Sequence, residues 1–402
     1  MKTIKASTQR TYFDWRIIVY YLLAFGSGGV IKPFLNLYLV EVGLTGTQIG
    51  IIQGWTALVA IFVTPVIGLL ADRTQRHRFV LGVVAFTKGI SAPLMPLSNA
   101  WLWLTTTVSL RVISAGAHDA ILNRLTLARL KQNHSQKLGS VRFWGSLSFA
   151  ATSMLAGMVA RGRSVAVLFP LAGVLGTIAV FFVGAFPARM AQRQSMRASR
   201  ERLLKRSSHL WLLFLIIFLF AFSRSGPETF AYVFLVEDLG AGNDLIGLLG
   251  ALTWLAALPA YYGADWLLNR RGSVATMAIG FGLYFLGWGG YTLIPHPALA
   301  LPLAALEGFG QALYLVSMVI LLGELSLPER AATDQMLAQL TVPGLASMIA
   351  QPVSGWLFDR LGGRSLFAFD AILVLLTTGL LLARANRLET ASLSHRRQRE
   401  PK

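Results

Sequence analysis

Twelve apolar runs follow one another between Trp15 and Ala385, separated by short polar loops. They cover residues 15 to 40, 47 to 71, 79 to 97, 101 to 128, 141 to 160, 165 to 186, 210 to 236, 244 to 266, 274 to 294, 298 to 324, 336 to 358 and 365 to 385. A helix needs about 20 apolar residues to cross a bilayer's hydrocarbon core. Strands that span a membrane alternate apolar and polar residues over about ten positions, whereas these runs are continuously apolar. Hydrophobic residues make up 54% of the 402 residues and charged ones only 13%, too little polar material to coat a soluble globule. The expected fold is an all-α membrane protein with twelve transmembrane helices in two pseudo-symmetric six-helix bundles.

The formal net charge of +18 would suggest nucleic acid in a soluble protein, but the positions of the charges argue against that partner. Alternate loops hold 28 of the 36 Lys and Arg residues, and the loops between them hold only Arg161, Arg163, Arg360 and Arg364. An excess of Lys and Arg on one side marks that side as cytoplasmic. The expected organisation is a cytoplasmic tail (1–14), an N-terminal six-helix bundle (15–186), a basic cytoplasmic hinge (187–209), a C-terminal bundle (210–386) and a basic cytoplasmic tail (387–402). The chain is thus expected to be a multi-pass protein of the inner or plasma membrane, with both termini inside and the lipid bilayer as its surroundings. No nucleic-acid partner is expected, and a monomer is.

With no cysteine, disulfides and Cys-based metal or redox sites are excluded. The first apolar stretch, Trp15 to Val40, is too long for a signal-peptide core and lacks a small-residue cleavage pattern. There is no GxxxxGK[S/T] loop, no HExxH and no GxSxG, so no enzyme is expected, and neither a cofactor nor a metal.

The two halves repeat. YLVEVGLTGTQIGII from Tyr38 lines up with FLVEDLGAGNDLIGLL from Phe234, and AGMVARGRSVAVLF with SGWLFDRLGGRSLFAF, placing Arg163-Ser164 on Arg364-Ser365. Transporters built from parallel repeats hold their solute between the halves, near the membrane midplane. Gly46, Gly50 and Gly54 share a face of the second run and predict a close helix crossing.

The loop after the second run reads GLLADRTQRHR. It resembles the signature between the second and third helices of the major facilitator superfamily, here carried by Gly68, Asp72, Arg73, Arg76 and Arg78. SAGAHDAILN, LGSVRFWGSLSFA and residues 323 to 364 resemble the branch that contains lactose permease, nucleoside:proton symporters and phenylpropionate permeases. The resemblance implies secondary transport by alternating access, often with protons, and a central cavity lined by helices one, four, seven and ten. The Asp72 loop can act as a latch: a carboxylate at a helix end, flanked by guanidinium groups, pairs in one state and is released in the other. Asp119, near the cytoplasmic end of the fourth run, is expected to pair with Arg142 as part of the same gate.

A charge at membrane depth costs about 2.5–3.5 kcal/mol on insertion scales. Each one therefore needs a partner or a wet cavity. Lys32, Lys88, Arg111 and Arg224 stand against Asp119, Glu228, Glu307 and Asp370. At the repeat offset Lys32 corresponds to Glu228 and Arg111 to Glu307, so two cations of one half are expected to face two carboxylates of the other. Arg224 and Glu228 are spaced to pair on one helical face, with Pro227 between them. Glu307, Gln311 and Tyr314 form a polar stripe, Arg111 shares a face with His118, and Asn36 follows Lys32 by one turn. Lys88 and Asp370 are expected on peripheral helices in packing or snorkelling roles.

These groups suit a small polar or carboxylated organic solute, such as a sugar, nucleoside or aromatic acid. A carboxylate in a low-dielectric cavity holds its proton until a cation moves into reach, which would couple proton binding to the solute; Glu307 is the expected carrier. Proton-driven export of drugs or metabolites stays open as an alternative, as does a transporter-like sensor that moves nothing.

Overall fold

The computed structural model describes residues 15–133, 138–187, 208–327 and 330–390. The expected N-terminal tail, residues 188–207 of the basic hinge and most of the C-terminal tail lie outside the described residues. Among the described residues every regular element is helical.

The first crossing is made of α1 (Trp15–Ile31) and α2 (Leu35–Glu41). Five helices complete the N-terminal half: α3 (Gly46–Thr74), α4 (His77–Leu94), α5 (Trp101–Asn133), α6 (Leu138–Val159) and α7 (Leu168–Val180). The C-terminal half holds α8 (Ser208–Glu237), α9 (Asn243–Leu293), α10 (Ala300–Leu325), the short α11 (Ala331–Met336) and α12 (Val342–Ala383). A π-helical segment, Leu337–Thr341, joins the last two.

Among the described residues, eight segments are long and apolar enough to cross a membrane. Two of them, Asn243–Leu293 and Thr333–Ala383, have 51 residues each. A straight helix of that length would run about 75 Å, far more than a bilayer, so each turns back once. The turns fall at Gly272 (φ 81°) and Gly362 (φ 78°), a left-handed conformation open to glycine without steric cost. Splitting both and adding the more polar α5 and α6 gives twelve crossings.

Breaks within the crossings have local causes. Pro33 has no N–H to continue the ladder, so α1 ends at Ile31 and a turn over Lys32–Phe34 precedes α2. Pro227, by contrast, lies within a continuous α8. Large apolar side chains such as Phe62, Leu102, Phe181 and Leu376 are exposed, as side chains facing lipid tails must be.

Inside the C-terminal half, Phe220 of α8 packs its ring 4.3 Å from Phe281 and 4.4 Å from Tyr314. The halves meet along two seams, α3 against α12 and α6 against α9. Both seams bear on where a solute can enter.

Candidate functional site

Glycines set the first seam. A side chain on Gly50 would run into the Gln351 backbone carbonyl, and one on Gly46 into Gly355 and Asp359. The second seam is built alike, with Gly157 of α6 against Asn243 and Gly247 of α9. Such close approach places backbone against backbone, which only small residues permit.

At the end of the first seam, Asp359 of α12 reaches the N-terminus of α3. Its carboxylate accepts from the Gly46 N–H at 2.7 Å, the Thr47 N–H at 2.7 Å and the Thr47 hydroxyl at 2.6 Å. Thr45 and Gln48 cap the same end reciprocally. All the free donors of this helix start are thereby used, two of them by the opposite half. At the end of the second seam Arg161 lies 3.9 Å from Asp244, and Asn243 donates to the Ala160 carbonyl at 3.0 Å.

These contacts close one face of the molecule, the face of the loops that are poor in Lys and Arg. Gly68, near the other end of α3, has nothing within 4 Å of where a side chain would begin. The described contacts thus close the side away from the basic loops.

The groups expected to line a cavity lie between the halves. Lys32 sits where α1 stops, and a cation is favourable at a helix C-terminus. Its ammonium lies 5.9 Å from the ring centroid of Trp254 on α9, and Trp254 stacks on Phe149 of α6 at 4.4 Å. Glu228 on α8 is within electrostatic reach of Lys32. Arg224 donates to Glu228 at 2.5 Å and lies 5.9 Å from the Tyr284 ring. The side chains of this pair are 24% and 51% exposed, so water reaches it.

Glu307 on α10 senses both members of the pair but bonds to neither. It packs beside Gly287 and accepts from the Trp288 side chain, while its Oε1 is buried with no hydrogen-bond partner. Gln311, one turn on, accepts from the Tyr284 hydroxyl at 2.8 Å, and Tyr314 is buried against Phe220. The stripe of Glu307, Gln311 and Tyr314 thus turns towards α8 and α9.

Asn36 joins the halves. It donates to the Thr229 carbonyl at 3.0 Å and accepts from Gln53 at 2.8 Å. Thr229 in turn donates to Gln351 at 2.7 Å, and Gln351 to the Ser225 carbonyl at 3.2 Å. A polar chain therefore crosses from one half to the other.

Several expected placements differ. Arg111 does not face Glu307: it is buried in the N-terminal half and donates to the carbonyls of Lys88 (3.0 Å) and Ser27 (3.4 Å). Small residues on α1 let a long side chain reach those carbonyls. Asp119 does not pair with Arg142 but accepts from His118 at 2.8 Å, while Arg142 donates to Asn123 at 3.1 Å. Lys88 points inward to the Ala24 carbonyl at 3.3 Å, and Asp370 is wholly buried beside Gly226. Neither snorkels. In the loop, Asp72 pairs with Arg124 and with His77, within its own half; Arg73, Arg76 and Arg78 are exposed.

Sequence reasoning did not single out Asp359, Gln53, Thr229, Gln351 or Trp254. One signal was available for Asp359: Gly355-x-x-x-Asp359-Arg360 repeats the pattern of Gly68-x-x-x-Asp72-Arg73.

Comparison with known proteins agrees with this architecture. Residues 14–369 match the model of the MFS_1 like family. An uncharacterized transporter of Bacillus subtilis, YwbF, is 23% identical over 377 residues, 90% of this chain and 91% of its own. A maltose permease of Geobacillus stearothermophilus is 24% identical, covering 96% of this chain and 97% of its own. Among solved structures, a mutant form of the nucleoside transporter NupG superposes with a TM-score of 0.83 at 15% identity, over 92% of this chain and 99% of that one. Twelve crossings, two repeated halves and a matched family model place the chain in the MFS_1 like family, as a multi-pass membrane transporter of the major facilitator superfamily.

Proposed function

We propose that this protein carries a small polar organic solute, bearing hydroxyl or carboxyl groups, together with protons, by alternating access. Sugars and nucleosides are the first solutes to test, because the similar proteins include a maltose permease and a nucleoside transporter. Lys32, Asn36, Arg224 and Glu228 offer charge and hydrogen bonds of both senses, and Trp254 offers a flat apolar face for a ring. Stacking and hydrogen bonding together suit a ringed polar solute.

The basic face is the cytoplasmic one by the distribution of Lys and Arg. The closed face is then the outer one, with both termini inside. Glycine seams and the Asp359 cap hold it closed.

One observation supports proton coupling above the others: the Glu307 carboxyl accepts from the Trp288 side chain, but its Oε1 is buried with no hydrogen-bond partner. A carboxylate left with one oxygen unsatisfied is costly there, and a proton of its own reduces the cost. Arg224, now engaged with Glu228, is the cation able to release that proton when the halves move. Glu307 is the proton carrier in this reading.

Proton movement in vesicles of the purified protein, recorded while sugars, nucleosides, aromatic acids and cationic drugs are added in turn, tests it. Protons entering with a solute support symport and identify the solute class. Protons moving against it would replace symport with export, and solute flux with no proton movement would remove coupling altogether.

A further inference from the structure

The N-terminal half contains a second chain of titratable groups that the cavity does not use. Asp119 is 58% exposed on its side chain. Behind it His118 is 1% exposed. Its Nδ1 lies 2.8 Å from Asp119 Oδ1 and its Nε2 2.8 Å from the Tyr20 hydroxyl. Tyr20 is fully buried, stacked on His118 and edge-on to Phe186. A carboxylate in water, an imidazole behind it and a phenol in the core thus form one hydrogen-bonded line.

Such a line accommodates an extra proton on the ring without moving its heavy atoms. In the neutral ring Nδ1–H donates to Asp119, and Nε2 accepts from the Tyr20 hydroxyl. In the charged ring both nitrogens donate, to the carboxylate and to the phenol oxygen, and only the Tyr20 hydroxyl hydrogen turns. Both ring nitrogens therefore keep a partner in either protonation state.

Other charged and titratable groups around His118 are Tyr21 on α1, Lys88 on α4, Arg111 on its own helix and Arg142 on α6. Lys88 and Arg111 are buried and hold the carbonyls of Ala24 and Ser27 on α1. A third positive charge at His118 would push against Lys88 and so against the hold on α1. That helix ends at Lys32, in the cavity.

We infer that His118, entered through Asp119 and backed by Tyr20, is a second proton site, in the N-terminal half and distinct from Glu307, which acts on the cavity through α1. The inference rests on the reading of the chain as a proton-coupled carrier, but its test needs neither solute nor transport.

The test is nitrogen NMR of the full chain in nanodiscs, labelled at histidine, across pH 5 to 8. His118 is assigned as the signal lost in His118→Gln, or, if that variant does not fold, as the one retained when the other five histidines are replaced. The expected result is a ring that changes from neutral to doubly protonated within this range. In Asp119→Asn its proton affinity falls at least about tenfold, and in Glu307→Gln it is unchanged. A ring held neutral in one tautomer throughout, or a titration indifferent to Asp119→Asn, would overturn the inference. Loss of coupling in Glu307→Gln vesicles alongside a silent His118 would leave the transport reading standing and the second site refuted.

Discussion

Asp359 caps the helix that begins the second crossing, and Thr47 gives it two hydrogen bonds, from the backbone N–H at 2.7 Å and the hydroxyl at 2.6 Å. The two residues belong to opposite halves. The bond therefore exists only while this face is closed, which makes Asp359 a lock for one state.

Hydrogen bonds to a charged group contribute about 1.5–3 kcal/mol each. Asp359→Ala removes three and should shift the population away from the closed face at least about tenfold. The chain has no cysteine, so single cysteines at Val42 and Leu361 can carry spin labels in an otherwise silent background. Longer distances between them in Asp359→Ala are expected; an unchanged distribution would mean that the glycine seams alone hold the face.

Gly50→Leu tests those seams. Its side chain would meet the Gln351 carbonyl and Pro352, and overpacking costs about 1–3 kcal/mol in a fixed structure. Parting the halves relieves the clash. The variant should fold with normal yield, show the longer label distances and lose solute counterflow.

The Arg224–Glu228 pair is reached by water, and such pairs contribute no more than about 1 kcal/mol to stability. Glu228→Gln should melt close to the parent while losing solute exchange at least about tenfold. A large drop in melting temperature with exchange intact would make the pair a structural brace.

Trp254 lies under Lys32 and against Phe149. Ring contacts of this kind contribute about 0.5–1.5 kcal/mol. Trp254→Ala should weaken binding of the transported solute about 2- to 12-fold and spare the closed face, whereas Trp254→Phe should keep most of the affinity. Equal affinity in both variants would place the solute elsewhere.

Much of this architecture was legible in the sequence, because length and apolar continuity decide how a chain crosses a bilayer. The two pairs of repeats found by alignment are the segments that form the closed face. Gly46 and Gly355 meet in one seam, and Gly157 and Gly247 in the other. Alignment showed that these segments correspond, yet nothing in it showed that they touch. Asp359 was hidden for the same reason: its ligands are backbone N–H groups 312 and 313 residues away, invisible to side-chain patterns.

Membrane charges were harder to read. Counting four of each sign suggested cross-cavity pairs, and Glu228 is within electrostatic reach of Lys32. Arg111 instead satisfies itself on carbonyls of α1 and α4, which a tally of opposite charges does not consider. His118 bridges its neighbour Asp119 and Tyr20, 98 residues away, and the bond to Tyr20 emerged only once α1 and α5 were packed together.

Glu307 concentrates the account, and one comparison tests it most directly. Vesicles of parent and Glu307→Gln protein are loaded with the solute identified by the proton screen, and both uphill accumulation driven by a pH gradient and solute-for-solute exchange are measured. The expected result is a variant that exchanges solute at a rate within a few-fold of the parent, about 1 kcal/mol or less in barrier, and accumulates none. A Glu307→Gln protein that still concentrates solute against its gradient would contradict the assignment of the coupling proton to this carboxyl.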